Sequence, residues 1–178
     1  MSEEHEEDRS NWTVEQWTDY AKAGNKDLEF AKLKGADLEG ADLRGAYLKG
    51  ADLMDARLKD ANLEGANLNG AWLWRAFMMS ANLEGANLKG ARLDKAVLTF
   101  ANLANATLKG AELRGAGLHN VDLEGAYLDY ANLEGATLEC ANLRFAYLRG
   151  ARLYGALIKE ANVEGHDIDD LRKRVAGF

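Results

Sequence analysis

Few of the 178 residues are equipped for chemistry. The most suggestive grouping is His119 with Glu139 and Asn120 with Cys140, each pair lying 20 residues apart. A thiol, an imidazole and a carboxylate brought together are the parts of a nucleophilic site, with the imidazole taking the thiol proton. Such a site also needs donors for a developing oxyanion and a cleft that holds substrate. No residues can be assigned to either task. The grouping therefore reads as a surface His–Glu pair beside an unreactive thiol. The other histidines, His5 and His166, are too scattered for a metal site, and no GxxxxGK[ST] phosphate loop occurs. No catalytic residue, metal or cofactor is expected, and the chain reads as a non-enzyme.

Any functional side chain must be positioned by a repeat. From Lys26 to Gly165 the chain runs in one five-residue frame of 28 repeats without an insertion; "ADLEG" at 36–40, "ANLEG" at 61–65 and 81–85 and "ARLYG" at 151–155 are examples. The third position is Leu in 25 of the 28, the exceptions being Met78, Ile158 and Val163. From Ala31 to Ala161 the first position is Ala in 26 of 27, the exception being Val121. A period of five suits neither an α-helix nor a long flat strand. Within one repeat, however, Ala and Leu are two apart and face the same way from a short extended segment. The two residues that follow are polar or Gly and can turn the chain. A chain that turns the same way at every corner is a solenoid.

The number of corners per coil is legible in the second position. Asp or Asn fills it in 13 of 28 repeats, and every fourth repeat holds all seven of Asp42, Asn62, Asn82, Asn102, Asp122, Asn142 and Asn162. Residues 20 apart should therefore stack, with their amides forming a hydrogen-bonded ladder. Four repeats then close one coil, giving about seven coils and a rod on the order of 34 Å long.

The A(D/N)LXX motif, across these 140 of 178 residues, resembles that of the pentapeptide-repeat family. The resemblance implies an all-β, right-handed quadrilateral β-helix. Known members include proteins that protect DNA gyrase by imitating DNA, and many cyanobacterial proteins with no assigned role. Gyrase-protecting members tend to place Phe as well as Leu at the repeat centre and to interrupt the coils with loops; this chain has neither feature.

Solenoid ends need covers, because open strand edges recruit other edges. Thr13 and Gln16 fit a capping box, and Val14, Trp17 and Ala21 fall on one helical face. A helix over 13–23 should lie on the first coil with Trp17 as its plug. Ile168, Leu171 and Val175 predict a second helix over 167–176. It either covers the last coil or pairs with a second copy, so the protein is a monomer or a homodimer through its C-terminal end. Residues 1–11, rich in Glu, read as a solvated tail. The expected organisation is an acidic tail and N-terminal capping helix (1–25), the β-helix (26–165) and a C-terminal capping helix (166–178).

Charge excludes a broad basic surface for nucleic acid: 22 Lys and Arg face 29 Asp and Glu, a net charge of −7. The longest apolar runs, such as Ala71–Trp74 and Ala76–Met79, are four residues, against about 20 for a transmembrane helix. A single cysteine and an acidic N-terminus without an apolar stretch lead us to expect a cytoplasmic protein without a signal peptide.

Two surfaces stand out. Trp72, Trp74, Phe77, Met79, Val97 and Phe100 fall at outward or corner positions on two adjacent sides, which is where a protein partner would dock. Asp42, Glu64, Glu84, Asp122, Glu124 and Glu164 line the ladder side against Arg44 and Arg144, a net −4. The opposite side carries a net +2. A second aromatic group, Tyr127, Tyr130, Phe145, Tyr147 and Tyr154, should seat the terminal helix or a dimer partner. The first reading is thus a scaffold that presents flat faces to a protein partner, with no direct contact to nucleic acid or membrane. The second is a DNA-mimicking inhibitor or protector of a type II topoisomerase, acting through the acidic stripe.

Overall fold

Residues 9–177 are described by a computed structural model, with the backbone alone at Ile168 and Asp169. The architecture follows from the five-residue unit. The first and third residues of each repeat point inward, the second bridges to the next coil, and the fourth and fifth make a turn. From Asp27 to Asn142, every second-position residue pairs in parallel with the residue 20 positions on, so that each coil takes four repeats. We name the four sides after their first central leucine: the Leu28, Leu33, Leu38 and Leu43 sides.

The hydrogen bonds repeat with the sequence. The Leu28 N–H donates to the Tyr47 carbonyl (2.9 Å), the Phe30 N–H to Lys49 (3.0 Å), and the Tyr47 N–H returns to Lys26 (2.7 Å). The corner closes when the Ala31 N–H donates to the Leu28 carbonyl at 3.1 Å. That is a β-turn of type II, which requires a left-handed residue at its third position. All 28 fifth positions are left-handed: 15 are Gly and 13 are other residues, among them Phe30, Arg75, Phe100, Tyr130, Cys140 and Phe145. Loss of corner glycine therefore does not alter the corner. The sequence reading expected a short strand in each repeat. Instead each side supplies one bridging residue, because two of every five residues belong to the turn.

The core is two nested ladders. Leucines from Leu28 to Leu153 and alanines from Ala31 to Ala156 are buried along the axis, with Met78 and Val121 fitting the same layers. Each buried Leu contributes roughly 1.5–3 kcal/mol. Burial falls off only at the far end, where Ile158, Ala161 and Val163 are partly exposed.

Two helices pack at the ends. Helix α1 (Val14–Lys22) begins at Thr13, whose hydroxyl accepts from the Gln16 N–H while Gln16 Oε1 accepts from the Thr13 N–H. Trp17, 6% exposed, and Ala21 join the core; Val14, expected on that face, is exposed. Its place is taken by Trp12 and Tyr20, which meet Trp17 edge-on at centroid distances of 5.0 and 6.2 Å. Of the expected tail, residues 1–8 lie outside the described residues. Arg9 and Ser10 are fixed: Arg9 reaches the Asp27 carboxylate at 3.0 Å, and the Ser10 carbonyl accepts from Lys32. Helix α2 (Ile168–Ala176) buries Leu171. Its Arg174 donates to the Leu148 carbonyl (2.8 Å), which also accepts the corner bond from the Ala151 N–H, and to the Ala151 carbonyl (2.6 Å), which no backbone N–H among the described residues reaches.

Candidate interaction surfaces

The grouping around Cys140 does not assemble as a nucleophile. Pairing of Gly117 with Thr137 does stack the two repeats. His119, however, turns edge-on to Phe100, with ring centroids 6.5 Å apart, and forms no hydrogen bond with Glu139. The Cys140 thiol donates to Glu160 Oε2 at 3.7 Å. Desolvation at the corner and the negative charge of Glu160 push the thiol pKa up, the opposite of what an activated cysteine needs. Among the described residues no group of three or more His, Cys, Asp or Glu could hold a metal ion, and no helix is long and apolar enough to cross a membrane.

The aromatic residues are placed by the frame. Trp72 and Trp74 flank buried Leu73, so both indoles project from the Leu33 side. Phe77 and Met79 flank Met78 on the adjacent Leu38 side, where Phe77 bridges to Arg57 and Val97. Trp72 is 43% and Phe77 52% exposed, whereas Trp74 and Val97 are half-buried. The structure brings Trp72 and Trp74 together around a notch of about 290 Å³ lined also by Met54, Arg92 and Asp94. Phe77 sits apart, in a shallow groove with Glu39, Arg57 and Lys59. Phe100 is turned away toward His119. Trp72 and Trp74 thus form one site and Phe77 another on the adjacent side, while Phe100 belongs to neither.

Sequence reasoning missed the cations that cover the indoles. Arg92 lies over Trp72 at 5.3 Å, and Arg75 over Trp74 at 4.3 Å. Arg75 is also held by Asp55, and Arg114 by Asp94 at 2.8 Å, which raises the Arg114 pKa. The signal was present as Arg at i+20 from Trp72 and at i+1 from Trp74. In the second group, Tyr127 and Tyr147 stack in parallel at 4.7 Å. Tyr154 packs against Gly177 beyond α2, while Tyr130 and Phe145 lie over Gly150 and Gly165 of the next coil.

The acidic residues do share the Leu43 side, joined by unbroken pairing from Asp42 to Asn162. The amide ladder forms in part: Asn82 donates to Asn62 at 3.4 Å, Asn102 to Asn82 at 3.3 Å and Asn142 to Asp122 at 3.0 Å. Much of the charge is met locally. Arg44 grips Asp42 with two bonds of 2.9 and 2.7 Å and holds its carboxyl well below the usual range. Arg144 pairs with Glu164 (2.7 Å) and approaches Glu124 (3.9 Å). Among the described residues Glu64, Glu84 and Asp122 form no ion pair, and Glu84 accepts instead from the Asn102 amide at 3.3 Å.

The pattern of pentapeptide repeats matches the chain in eight copies, across residues 27–60, 61–99, 91–129 and 126–165. The chain belongs to the pentapeptide-repeat family. Its members are generally non-enzymatic structural or interaction proteins. Among solved pentapeptide-repeat structures it is similar to HetL, involved in heterocyst differentiation regulation in the cyanobacterium Nostoc sp. strain PCC 7120, with 34% identity, 78% of this chain and 72% of HetL covered, and a TM-score of 0.58. Rfr23 from the cyanobacterium Cyanothece 51142 is 33% identical, covering 60% of this chain and 66% of Rfr23, with a TM-score of 0.50. QnrB1, a plasmid-mediated fluoroquinolone resistance protein, has a TM-score of 0.75 at 21% identity, covering 80% of this chain and 72% of QnrB1. At that identity the likeness is one of fold: the right-handed β-helix. No curated protein matches the chain in sequence.

Proposed function

We propose that this pentapeptide-repeat protein is a non-enzymatic scaffold that docks a protein partner on its Leu33 and Leu38 sides. The observation that carries the reading is the placement of Trp72 and Trp74 on one side and Phe77 on the next, at outward positions of a rod whose backbone is already paired coil to coil. Neighbouring coils close with Asp52, Arg57 and Arg92 at equivalent places, so the fold does not require large rings there. Met79 and Val97 add apolar surface beside Phe77 on the Leu38 side, and Phe100, 59% exposed, lies at the far corner of that side. The rod comprises seven coils over 26–165, with residues 1–25 and 166–178 covering its ends. It acts in the cytoplasm, where its free Cys140 thiol stays reduced, and engages neither nucleic acid nor membrane directly. Self-association, where it occurs, uses the C-terminal end, because Leu157 is exposed there and α2 leaves Ile158 and Val163 partly open.

A second reading is supported by the QnrB1-like fold and the acidic stripe: imitation of DNA toward a type II topoisomerase. A DNA mimic needs a strong, continuous negative field, and Arg44 and Arg144 interrupt this one near each end. Paired variants separate the readings. Trp74→Ala with Phe77→Ala should leave the melt nearly unchanged and weaken capture of the native partner by about 30-fold or more, as for a hot-spot pair. Changing Glu64, Glu84 and Glu124 to Lys should leave capture intact. The reverse pattern, with loss of an effect on gyrase supercoiling in the Lys variant, would favour the mimic.

A further inference from the structure

The notch on the Leu33 side has a chemistry of its own, and this inference rests on the docking reading above. Its walls are the indoles of Trp72 and Trp74, with the Met54 side chain from the preceding coil. A volume of about 290 Å³ accommodates one branched aliphatic or aromatic side chain. The charges at its rim are not equivalent. Asp94 is bound by Arg114 at 2.8 Å with its carboxylate largely shielded, and Arg75 is bound by Asp55. Arg92 lies over Trp72 and, among the described residues, has no carboxylate partner. The unanswered charge at the rim is therefore one guanidinium beside an apolar hole. The backbone beneath is already bridged from Asp52 to Trp72 to Arg92, so a partner cannot add a strand there and must be read through its side chains.

We propose that this notch takes an apolar side chain flanked by Asp or Glu, in an acidic segment of the partner protein. The inserted side chain displaces water from between the indoles, and a neighbouring carboxylate pairs with Arg92 in the fork geometry suited to a guanidinium. The net charges of the sides agree: +2 on the Leu33 side against −4 on the Leu43 side. A single-stranded nucleic acid would also use aromatics and cations, but it needs open ring faces and a track of free cations. Here Arg92 and Arg75 occupy the ring faces, and the neighbouring guanidiniums of Arg75, Arg114 and Arg152 are engaged by carboxylates.

The test uses the full chain and three fluorescein-labelled probes: a twelve-residue peptide with a central Leu among Asp and Glu, the same peptide with Lys in place of the acids, and oligo-dT. Anisotropy titration should show saturable binding of the acidic peptide alone. Replacing its Leu by Ser, or Arg92→Glu in the protein, should weaken binding by about tenfold, the scale of one partly shielded contact; Arg92→Lys should restore part of the loss. Unchanged melting of Arg92→Glu shows that the rod is intact. Absence of saturable acidic-peptide binding, equal or tighter binding of the Lys peptide or oligo-dT, or indifference to Arg92→Glu would each overturn the inference. If these fail while partner capture still depends on Trp74 and Phe77, the docking reading stands and only the ligand chemistry falls. If capture is indifferent to both residues, the docking reading falls.

Discussion

At four corners a bulky left-handed residue leans onto the glycine 20 positions further on: Phe30 onto Gly50, Asn105 onto Gly125, Tyr130 onto Gly150 and Phe145 onto Gly165. A Cβ added at Gly50 would lie 2.7 Å from Cδ1 and Cε1 of Phe30, whereas one added at Gly70, on the same corner, meets nothing within 4 Å. Both glycines have φ of +64°, so both pay the left-handed cost of an L-residue, about 1–2 kcal/mol. Gly50→Ala has a further cost. The Phe30 ring is 66% exposed, so it can swing outward instead of forcing the backbone apart. The added loss is then the packing of one ring on the corner, about 1 kcal/mol. Urea melts of Gly50→Ala, Gly70→Ala, Phe30→Ala and the Phe30→Ala/Gly50→Ala pair measure this directly. The Gly50 variant should be less stable than the Gly70 variant by about 1 kcal/mol, and the difference should vanish when Phe30 is also Ala. Equal costs at Gly50 and Gly70, or an excess that persists without Phe30, would refute the view that corner aromatics select the next glycine.

The core ladders are equally testable: Leu83→Ala should lower unfolding free energy by about 2–5 kcal/mol, and Ala81→Leu by about 1–3 kcal/mol through overpacking of the same layer, both read in urea. Deletion of residues 1–24 removes Trp17 and the helix that carries it, and light scattering should show higher oligomers as the first coil's unpaired groups find other edges. Because the Cys140 thiol is held protonated by desolvation and by Glu160, its thiolate forms only as pH rises above the ordinary cysteine range; iodoacetamide should alkylate it more slowly than free cysteine at pH 8, and Glu160→Gln should speed the reaction.

The repeat frame made the inward positions legible because Ala and Leu recur without a gap, and a single inserted residue would have reversed every face after it. The 20-residue coil was legible for a different reason: amides at Asn62, Asn82 and Asn102 bond to one another along the axis, which leaves a second period in the sequence. What could not be read was the direction a corner side chain takes. Phe30, Phe100 and Tyr130 all occupy the fifth position, yet Phe30 and Tyr130 lie on a glycine while Phe100 meets His119. The outcome depends on the residue one coil on, Gly50, Asn120 or Gly150, and therefore on contacts that the local frame does not encode. Val14 failed similarly: its helical spacing was right, but Trp12, from outside the helix, filled the place beside Trp17.

The division of labour among the five positions explains how such a rod can acquire a binding surface at little cost to its fold. The first and third residues make the core, and the fifth sets the turn whatever its side chain, as the common left-handed φ of Gly70, Arg75 and Phe100 shows. The backbone of the second residue carries the pairing, so its side chain is free: Asp52, Trp72 and Arg92 succeed one another in a single column with the same hydrogen bonds beneath them. The fourth position, with Met54, Trp74 and Asp94, has the same freedom. Specificity can therefore be written in those two columns while the ladders of Leu and Ala stay unchanged. On this rod the departures from polar outward residues concentrate where the two columns meet, around Trp72 and Trp74, and that concentration is the physical reason to look for the partner there.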